Sequence, residues 1–461
     1  MVSYIEVTVP DMMQAREERF FMQRMMLAYY PGASLVCLTM NIAGPVKVTP
    51  AIERAFAWGM DSIRAVLAGH RVLFEADIHE KTGAEAVFVV QGEAKEIKRR
   101  LCLLEDGCAV GRLLDVDVIA PDGEKVSRTD IGLPPRKCLL CGEDAPVCAR
   151  SRTHTVEELF SRTHEIIDTH FAAAYAKRVG RQAQRALLTE AAISPKPGLV
   201  DRLNAGAHSD MDIFTFIDSA CALRDYFDAC ARVGFEHREK KPQECFDALR
   251  TYGLLAEAEM KRATGGVNTH KGAIFSLGIY AASLGMGYDG ETSDPEKALL
   301  RCGEMTDERM SEELRAIACG EPTTFGERIY KERGVGGVRA EAAGGFASVR
   351  ESGLPRLRAA LAAGLPLNDA GLCVLIALMA RTQDTNALRR GGEAAAAKLL
   401  ADAKTLDEVI CLHADKGTLR IHMEEIRARM AAWDVQLSDA RISPGGCADL
   451  LALTLLAYFM E

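Results

Sequence analysis

The spacing of apolar residues changes once along this chain, near residue 156, and that single change constrains the fold more than any other feature. Before it, strand-like and helix-like runs alternate. Residues 15–29 read as an amphipathic helix rich in Met and Arg, closed by Pro31–Gly32, and ASLVCLTMNI (33–42) has the β-branched, apolar character of a buried strand. A helix over 50–68, strands over 71–79 and 85–91, a helix over 93–105 and a strand GRLLDVDVIA (111–120) follow. This alternation predicts an α/β or α+β domain. Residues 121–155 turn to loop composition, with PDG, GLPPR and CGEDAP as turn signals. From about residue 156, apolar residues recur at three- and four-residue spacing, as in PQECFDALRTYGLLAEAEMKRA, so the rest should be all-α. The joint falls in a helix or linker near 165–180, which gives two domains, 1–170 and 171–461. There is no internal repeat, and the one low-complexity stretch is the short EAAAAKLLADAK helix (393–404).

Bulk properties narrow the class. At 461 residues the chain is too long for one ordinary core. With 48% hydrophobic and 26% charged residues it is globular, and a net charge of −9 argues against a nucleic-acid or membrane-surface binder. The start, MVSYIEVTVPDMMQAREERF, lacks the basic and apolar regions of a signal peptide. The most apolar runs, 371–380 and 450–460, fall short of the ~20 residues that span a bilayer, and read as buried core helices. Fourteen cysteines without a secretory signal indicate reduced thiols in the cytoplasm, metal binding being the alternative.

In GRLLDVDVIA, Leu114, Val116 and Val118 alternate with Asp115 and Asp117, so the two carboxylates share a strand face. Convergent carboxylates on rigid backbone can hold Mg²⁺ against a polyphosphate, although D-x-D alone is equally a solvated polar face. Arg112, Arg128, Arg136, Arg150 and Arg152 lie in or near the turn-rich segment and are candidate phosphate ligands. Cys138-x2-Cys141-x6-Cys148 with His154 could form a tetrahedral Zn²⁺ site, although only one C-x2-C is present. The segments TMNIAGPVK (39–47), G-R-L-x-D-x-D-V, S-R-x-D-x-G-L-P-P-R-x-C-L-x-C and C-A-R-S-R-x-H resemble the apo-citrate-lyase phosphoribosyl-dephospho-CoA transferase family over about residues 15–165. The resemblance implies a nucleotidyltransferase-like domain. It also implies transfer of phosphoribosyl-dephospho-CoA to a serine of the citrate lyase acyl-carrier (gamma) subunit, with release of pyrophosphate. It makes Asp115 and Asp117 metal carboxylates of that reaction.

Four polar clusters interrupt the helical half. In SPKPGLVDRLNAGAHSDMD (194–212), Pro195 and Pro197 stiffen an extended loop that should present Lys196. Asp201, Arg202, His208, Asp210 and Asp212 follow, at least one of the last two being a helix cap. In TGGVNTHKGAIFSLG (264–278), Gly265 and Gly266 lead through Asn268 and Thr269 into a helix with His270 in its first turn, an arrangement that aims backbone N–H groups outward and suggests phosphate binding. Lys271 there opposes the helix dipole unless an anion lies close. In 333–355 glycines flank Arg339 and Glu341, and in RTQDTNALRRGG (381–392) Asp384 emerges at a buried helix end as a candidate Mg²⁺ ligand or a plain cap.

K-P-G-L-V-D, G-A-H-x-D-M, G-G-V-N-T-H-K-G and R-x-E-A-x-x-G-F together resemble triphosphoribosyl-dephospho-CoA synthase over nearly all of 175–395. The sequence departs from that pattern at Ser194, Gln383 and Ala347, where the family often has Thr, an acid and Pro; Gln383 weakens any two-metal arrangement needing a carboxylate there. The resemblance implies conversion of ATP and 3′-dephospho-CoA to 2′-(5″-triphosphoribosyl)-3′-dephospho-CoA and adenine. Cleaving the N-glycosidic bond needs carboxylates beside an oxocarbenium-like centre, a proton donor for adenine and a base for the ribose hydroxyl. Glu341, Asp201, Asp210 and His208 are candidates. Two other readings compete: an N-glycosidic hydrolase in the helical half, and a non-catalytic zinc-containing assembly factor for the carrier subunit.

Overall fold

The computed structural model describes residues 4–319, 328, 331 and 336–461, so 333–335 of the third polar cluster lie outside the described residues. The chain forms two compact units, Met1–Phe171 and Ala172–Glu461.

In the first unit, helix α1 (Val9–Tyr29) starts at a Thr8 capping box closed by Asp11. Strand β1 (Ser34–Met40), α2 (Pro50–Leu67), β2 (Arg71–Glu80), β3 (Gly83–Gln91), α3 (Ala94–Gly107), β4 (Leu114–Ile119), β5 (Lys125–Val126) and the short α4 (Ala145–Ser151) follow. The sheet order is β2-β3-β1-β4-β5 with every pair antiparallel, so the domain is α+β. β1 lies inside the sheet and is covered on both faces, which explains its unbroken apolar run. Val36, Leu38, Phe88, Val116 and Val118 pack with Phe56, Met60 and Ile63 of α2 and Ile97 and Leu101 of α3. On the other face Leu35, Cys37, Val87 and Val89 meet Met22, Met26 and Leu27 of α1.

The expected strand at 111–120 is shorter at its start: Gly111–Leu113 is a single 3-10 turn. β5 covers only the far end of β4, and buried side chains satisfy the rest of its edge. Glu105 accepts from the Val116 N–H at 3.1 Å, Lys98 donates to the Val116 carbonyl at 2.5 Å, and Arg136 donates to the Leu114 carbonyl at 2.7 Å. These bonds replace a missing strand and blunt an edge that would otherwise expose backbone.

Among its described residues the second unit is all-helical. It contains the end of α5 (Val156–Ala192), α6 (Ile213–Glu236), α7 (Pro242–Ala263), α8 (Lys271–Met286), α9 (Pro295–Cys319), α10 (Gly337–Ala343), α11 (Leu354–Ala362), α12 (Leu367–Met379), α13 (Thr385–Asp415), α14 (Leu419–Asp439) and α15 (Gly445–Phe459). α8, α12 and α15 are buried along most of their length. α6 and α8 cross in close contact because a Cβ on Gly234 would lie 1.9 Å from the Ala282 carbonyl, and one on Gly285 1.9 Å from that of Ala231. α13 breaks at Gly392, where the backbone is non-helical. No helix among the described residues is long and apolar enough to cross a membrane.

Candidate functional site

In the α+β unit the alternation of β4 sets Asp115 (exposed) and Asp117 (half-buried) on the face shared with Cys37 and Thr39, their register partners on β1. Asp117 pairs with Lys125 at 2.6 Å. Arg19 of α1 donates to Glu85 of β3 at 2.8 Å, and Gln23 donates to the Cys37 sulfur at 3.4 Å. Arg19, Cys37, Glu85 and Asp117 act electrostatically on one another. Burial pushes the Cys37 thiol up to about 11, so it stays neutral. Arg19, Glu85 and Lys125 escaped the sequence reading. The signal for Glu85 was present, as the one acid on an otherwise apolar strand face.

The arginines divide. Arg128 and Arg136 both turn onto Glu105, which is 1% exposed, and Arg128 also pairs with Asp106 at 2.5 Å. Both have a structural partner: a buried carboxylate without one would cost several kcal/mol, and Arg136 is also held to the β4 edge through the Leu114 carbonyl. Arg112 is tied to the Lys137 carbonyl. Arg150 and Arg152 remain exposed.

The ligand atoms of Cys138, Cys141, Cys148 and His154 all lie within 4.8 Å of one another. The Cys141 and Cys148 sulfurs are 3.4 Å apart, and His154 Nε2 is 3.3 Å from Cys141 Sγ. Zn–S bonds of ~2.3 Å in a tetrahedron place sulfurs about 3.8 Å apart, so the cluster could close on one metal ion. Burial raises the Cys138 thiol, yet the N–H groups of Leu140 and Cys141, together with the Cys141 and Cys148 thiols, outweigh it and hold it below the ordinary range.

In the helical unit Lys196 is not presented by its Pro-flanked loop. It is 1% exposed and pairs with buried Glu190, also donating to the Glu190 carbonyl at 2.8 Å. The correction has a physical cause: the loop folds inward because Asp201 accepts from the N–H groups of Lys196 (2.8 Å), Leu203 (2.6 Å) and Asn204 (3.2 Å). Arg202 donates to Ser194 Oγ and Asn368 Oδ1. Asp212 caps α6, and Asp210 is exposed beside His208. Arg390 can only donate, so His208 Nδ1 accepts from it (3.2 Å) and Nε2 donates to Ser443 (3.0 Å). Burial and the Arg390 charge hold His208 below the ordinary imidazole range.

His270 is 3% exposed, hydrogen-bonds Ser219 through Nδ1 at 2.7 Å and leaves Nε2 without a partner among the described residues. Burial, with Lys196 adding, takes it down to about 3. Gly265, Gly266 and Asn268 form the exposed turn before it. Lys271 pairs with Glu257 at 2.9 Å, a carboxylate that offsets its unfavourable place at the start of α8.

Asp384 is 7% exposed and its oxygens are occupied. One accepts from the N–H groups of Asn386 (2.8 Å) and Ala387 (3.1 Å), the other from Cys447 (3.0 Å). Asp384 thus caps α13 and ties it to α15, the capping role being one of the two offered by the sequence.

α10 stands between two cavities. One, of about 400 Å³, is lined by Glu341, Arg381, Gln383, Asp384, Gly446 and Leu450. The other, of about 550 Å³, is lined by Arg339, Lys271, Gly272, Arg250, Arg309 and Glu257. Glu341 is held along one edge by Ser348, whose hydroxyl donates at 2.5 Å and N–H at 3.3 Å. The structure thus brings Glu190, Asp201 and His270 together around Lys196, and Glu341, Asp384 and Arg339 around α10. His208 and Asp210 belong to a separate group with Arg390.

Residues 7–170 match the family described as apo-citrate lyase phosphoribosyl-dephospho-CoA transferase, and residues 176–461 match that described as ATP:dephospho-CoA triphosphoribosyl transferase. The chain is 33% identical over 459 residues to a protein of Haemophilus influenzae named CitXG, covering 98% of this chain and 96% of that one. It is 32% identical over 394 residues to a CitXG protein of Leuconostoc mesenteroides, covering 83% and 84%. Over 281 residues it is 39% identical to a probable 2-(5″-triphosphoribosyl)-3′-dephosphocoenzyme-A synthase of Vibrio cholerae, covering 61% of this chain and 87% of that one.

Proposed function

Because the chain belongs to the apo-citrate lyase phosphoribosyl-dephospho-CoA transferase family through residues 7–170 and to the ATP:dephospho-CoA triphosphoribosyl transferase family through residues 176–461, we propose that its two reactions run at separate sites, one in each unit. The chain is a bifunctional transferase that makes triphosphoribosyl-dephospho-CoA from ATP and dephospho-CoA and transfers the prosthetic group to apo-citrate lyase. Moving a triphosphoribosyl group off ATP leaves adenine.

The placement of α10 carries the reading for the helical unit. Glu341 faces one cavity while Arg339, with Lys271, faces the other. A ribose held at the shared wall meets a carboxylate on one side, which stabilises positive charge at its anomeric carbon. The cations of the other cavity take the triphosphate. Asp384 and Asp201 act as positioning residues, through the backbone they cap. Mg²⁺, when bound with ATP, would supply further neutralisation of the triphosphate charge.

In the α+β unit, the shared face of Asp115 and Asp117 fits a divalent ion. Asp115 and Asp117 would hold it, and it would supply neutralisation of the pyrophosphate charge. A serine hydroxyl of the citrate lyase acyl-carrier subunit attacks the α-phosphorus, the bond to pyrophosphate breaks, and the serine proton passes to a base. Arg150 and Arg152, exposed on the loop that carries the cysteine cluster, are phosphate ligands.

Cys138, Cys141, Cys148 and His154 hold a structural zinc that orders a loop with little core of its own. Protein purified without chelators should carry one zinc per chain, and Cys141→Ser should lose it and lower the melting temperature of the α+β unit. An unchanged melting temperature on full zinc removal would exclude a structural role. The cysteines of the described residues are all free thiols, which fits the reducing cytoplasm where we place the enzyme.

Mass spectrometry of the carrier subunit tests the whole reading. With ATP, dephospho-CoA and this protein, the subunit should gain one phosphoribosyl-dephospho-CoA group as one adenine is released. Adenine release at the same rate without dephospho-CoA, leaving ribose triphosphate, would make the helical unit a hydrolase. Tight carrier binding with no mass gain would make the chain an assembly factor.

A further inference from the structure

The C-terminal helix α15 is apolar along its length except for one carboxylate in its first turns, Asp449. That carboxylate points across to the start of α8. A Cβ built on Gly272 would lie 2.0 Å from Asp449 Oδ2, so only glycine leaves the space it fills, and the Ala273 N–H donates to it. Its neighbours on α15, Gly446 one turn before and Leu450 next to it, line the cavity that holds Glu341, while Gly272 lines the cavity that holds Lys271. Asp449 thus stands between residues that line the one cavity and a residue that lines the other, and keeps part of its surface accessible. The charged groups placed around it are mostly acids: Glu190 on α5, Asp384 at the start of α13 and, through the neighbouring Cys447, Glu341 on α10. Lys196 is committed to Glu190, His270 is neutral, and Lys271 pairs with Glu257.

From this placement, and resting on the reading that these cavities are the synthase site, we propose that Asp449 is the catalytic acid that protonates the departing adenine. The bond between the anomeric carbon and the adenine nitrogen breaks, and its electron pair stays on the base. The Asp449 proton moves onto an adenine ring nitrogen as this happens. The 2′-hydroxyl oxygen of dephospho-CoA forms the new bond to the anomeric carbon, and its proton goes to Glu341. Solvent exchange then returns one proton from Glu341 to Asp449, so one proton passes in sum from hydroxyl to adenine. Burial, together with repulsion from Glu190 and Asp384, raises the Asp449 carboxyl well above its ordinary range, which keeps the proton in place before the reaction.

The test is the full-length enzyme assayed for adenine release with ATP and dephospho-CoA. Asp449→Asn keeps an oxygen for the Ala273 N–H but removes the acid. It should lower kcat about 100-fold with KM for ATP changed less than about threefold. Wild-type kcat should fall as pH rises through the Asp449 pKa, and that alkaline limb should be missing from the residual Asp449→Asn activity. Asp449→Glu should recover part of the rate, and Gly272→Ala, which pushes the carboxylate aside, should lower kcat as well. If Asp449→Asn keeps wild-type kcat while Glu341→Gln is inactive, the acid lies elsewhere and only this inference falls. If the Asn variant is slow but retains the alkaline limb, Asp449 is structural and the inference again falls. If both variants are fully active, the site reading itself is wrong.

Discussion

Asp115→Asn and Asp117→Asn enzymes should release adenine from ATP and dephospho-CoA at the wild-type rate and leave apo-citrate lyase unmodified. Both carboxylates project from one face of β4, and on the proposed reading a divalent ion held by them would be worth several kcal/mol to a reaction that expels pyrophosphate. At about 1.4 kcal/mol per factor of ten, removing one ligand charge should cut carrier modification by roughly 1,000-fold or more. Folding should survive. Asp115 is exposed, and the Asp117–Lys125 pair is largely solvent-facing, with side-chain exposures of 30% and 60%, so its loss should cost less than about 1 kcal/mol. The synthase reaction belongs to the other compact unit and should not sense the change. Synthase and carrier modification falling together in a folded variant would sink the idea of independent sites. Normal modification by both variants would remove the carboxylates from the chemistry.

Periodicity made the α+β and all-α halves legible, since side-chain spacing is set by the local backbone and little else. It also placed Asp115 and Asp117 on one face. The start of α1 was readable in Thr8-x-x-Asp11 with Pro10, but the helix buries no residue, so its weak apolar pattern set in only near residue 15. What local sequence could not show was which charged residues meet at long range. Arg128 and Arg136 carry all the marks of phosphate ligands, and nothing near them in sequence reveals that Glu105 waits beneath β4. Lys196 was misplaced for the same reason: two prolines indicate an extended loop, while the inward pull comes from Glu190 and Asp201. Asp449 was passed over because residues 396–461 resembled no motif, although a lone acid in an apolar helix is a signal that burial costs can flag.

Glu341→Gln should lower the rate of adenine release by roughly 1,000-fold while leaving ATP binding within about threefold of wild type. Glu341 is fixed by two bonds from Ser348, one from the hydroxyl and one from the backbone N–H, which orient it toward the cavity without neutralising it. Glutamine can keep an oxygen facing Ser348, so the geometry should persist and the charge alone be lost. A carboxylate beside the anomeric carbon attracts little in ground-state ATP, where that carbon is neutral, and much more as the carbon gains positive charge. The loss should therefore fall on kcat rather than on KM. Ser348→Ala is the companion measurement: it frees one carboxylate oxygen and should lower kcat by a smaller factor, since charge is kept and only orientation suffers. Carrier modification by Glu341→Gln should be normal when ready-made triphosphoribosyl-dephospho-CoA is supplied, because that step belongs to the other unit. A Glu341→Gln enzyme that loses affinity for ATP in proportion to its rate would instead place the residue in uniform binding. The carboxylate that faces the developing cation would then have to be sought elsewhere among the acids of the cavities.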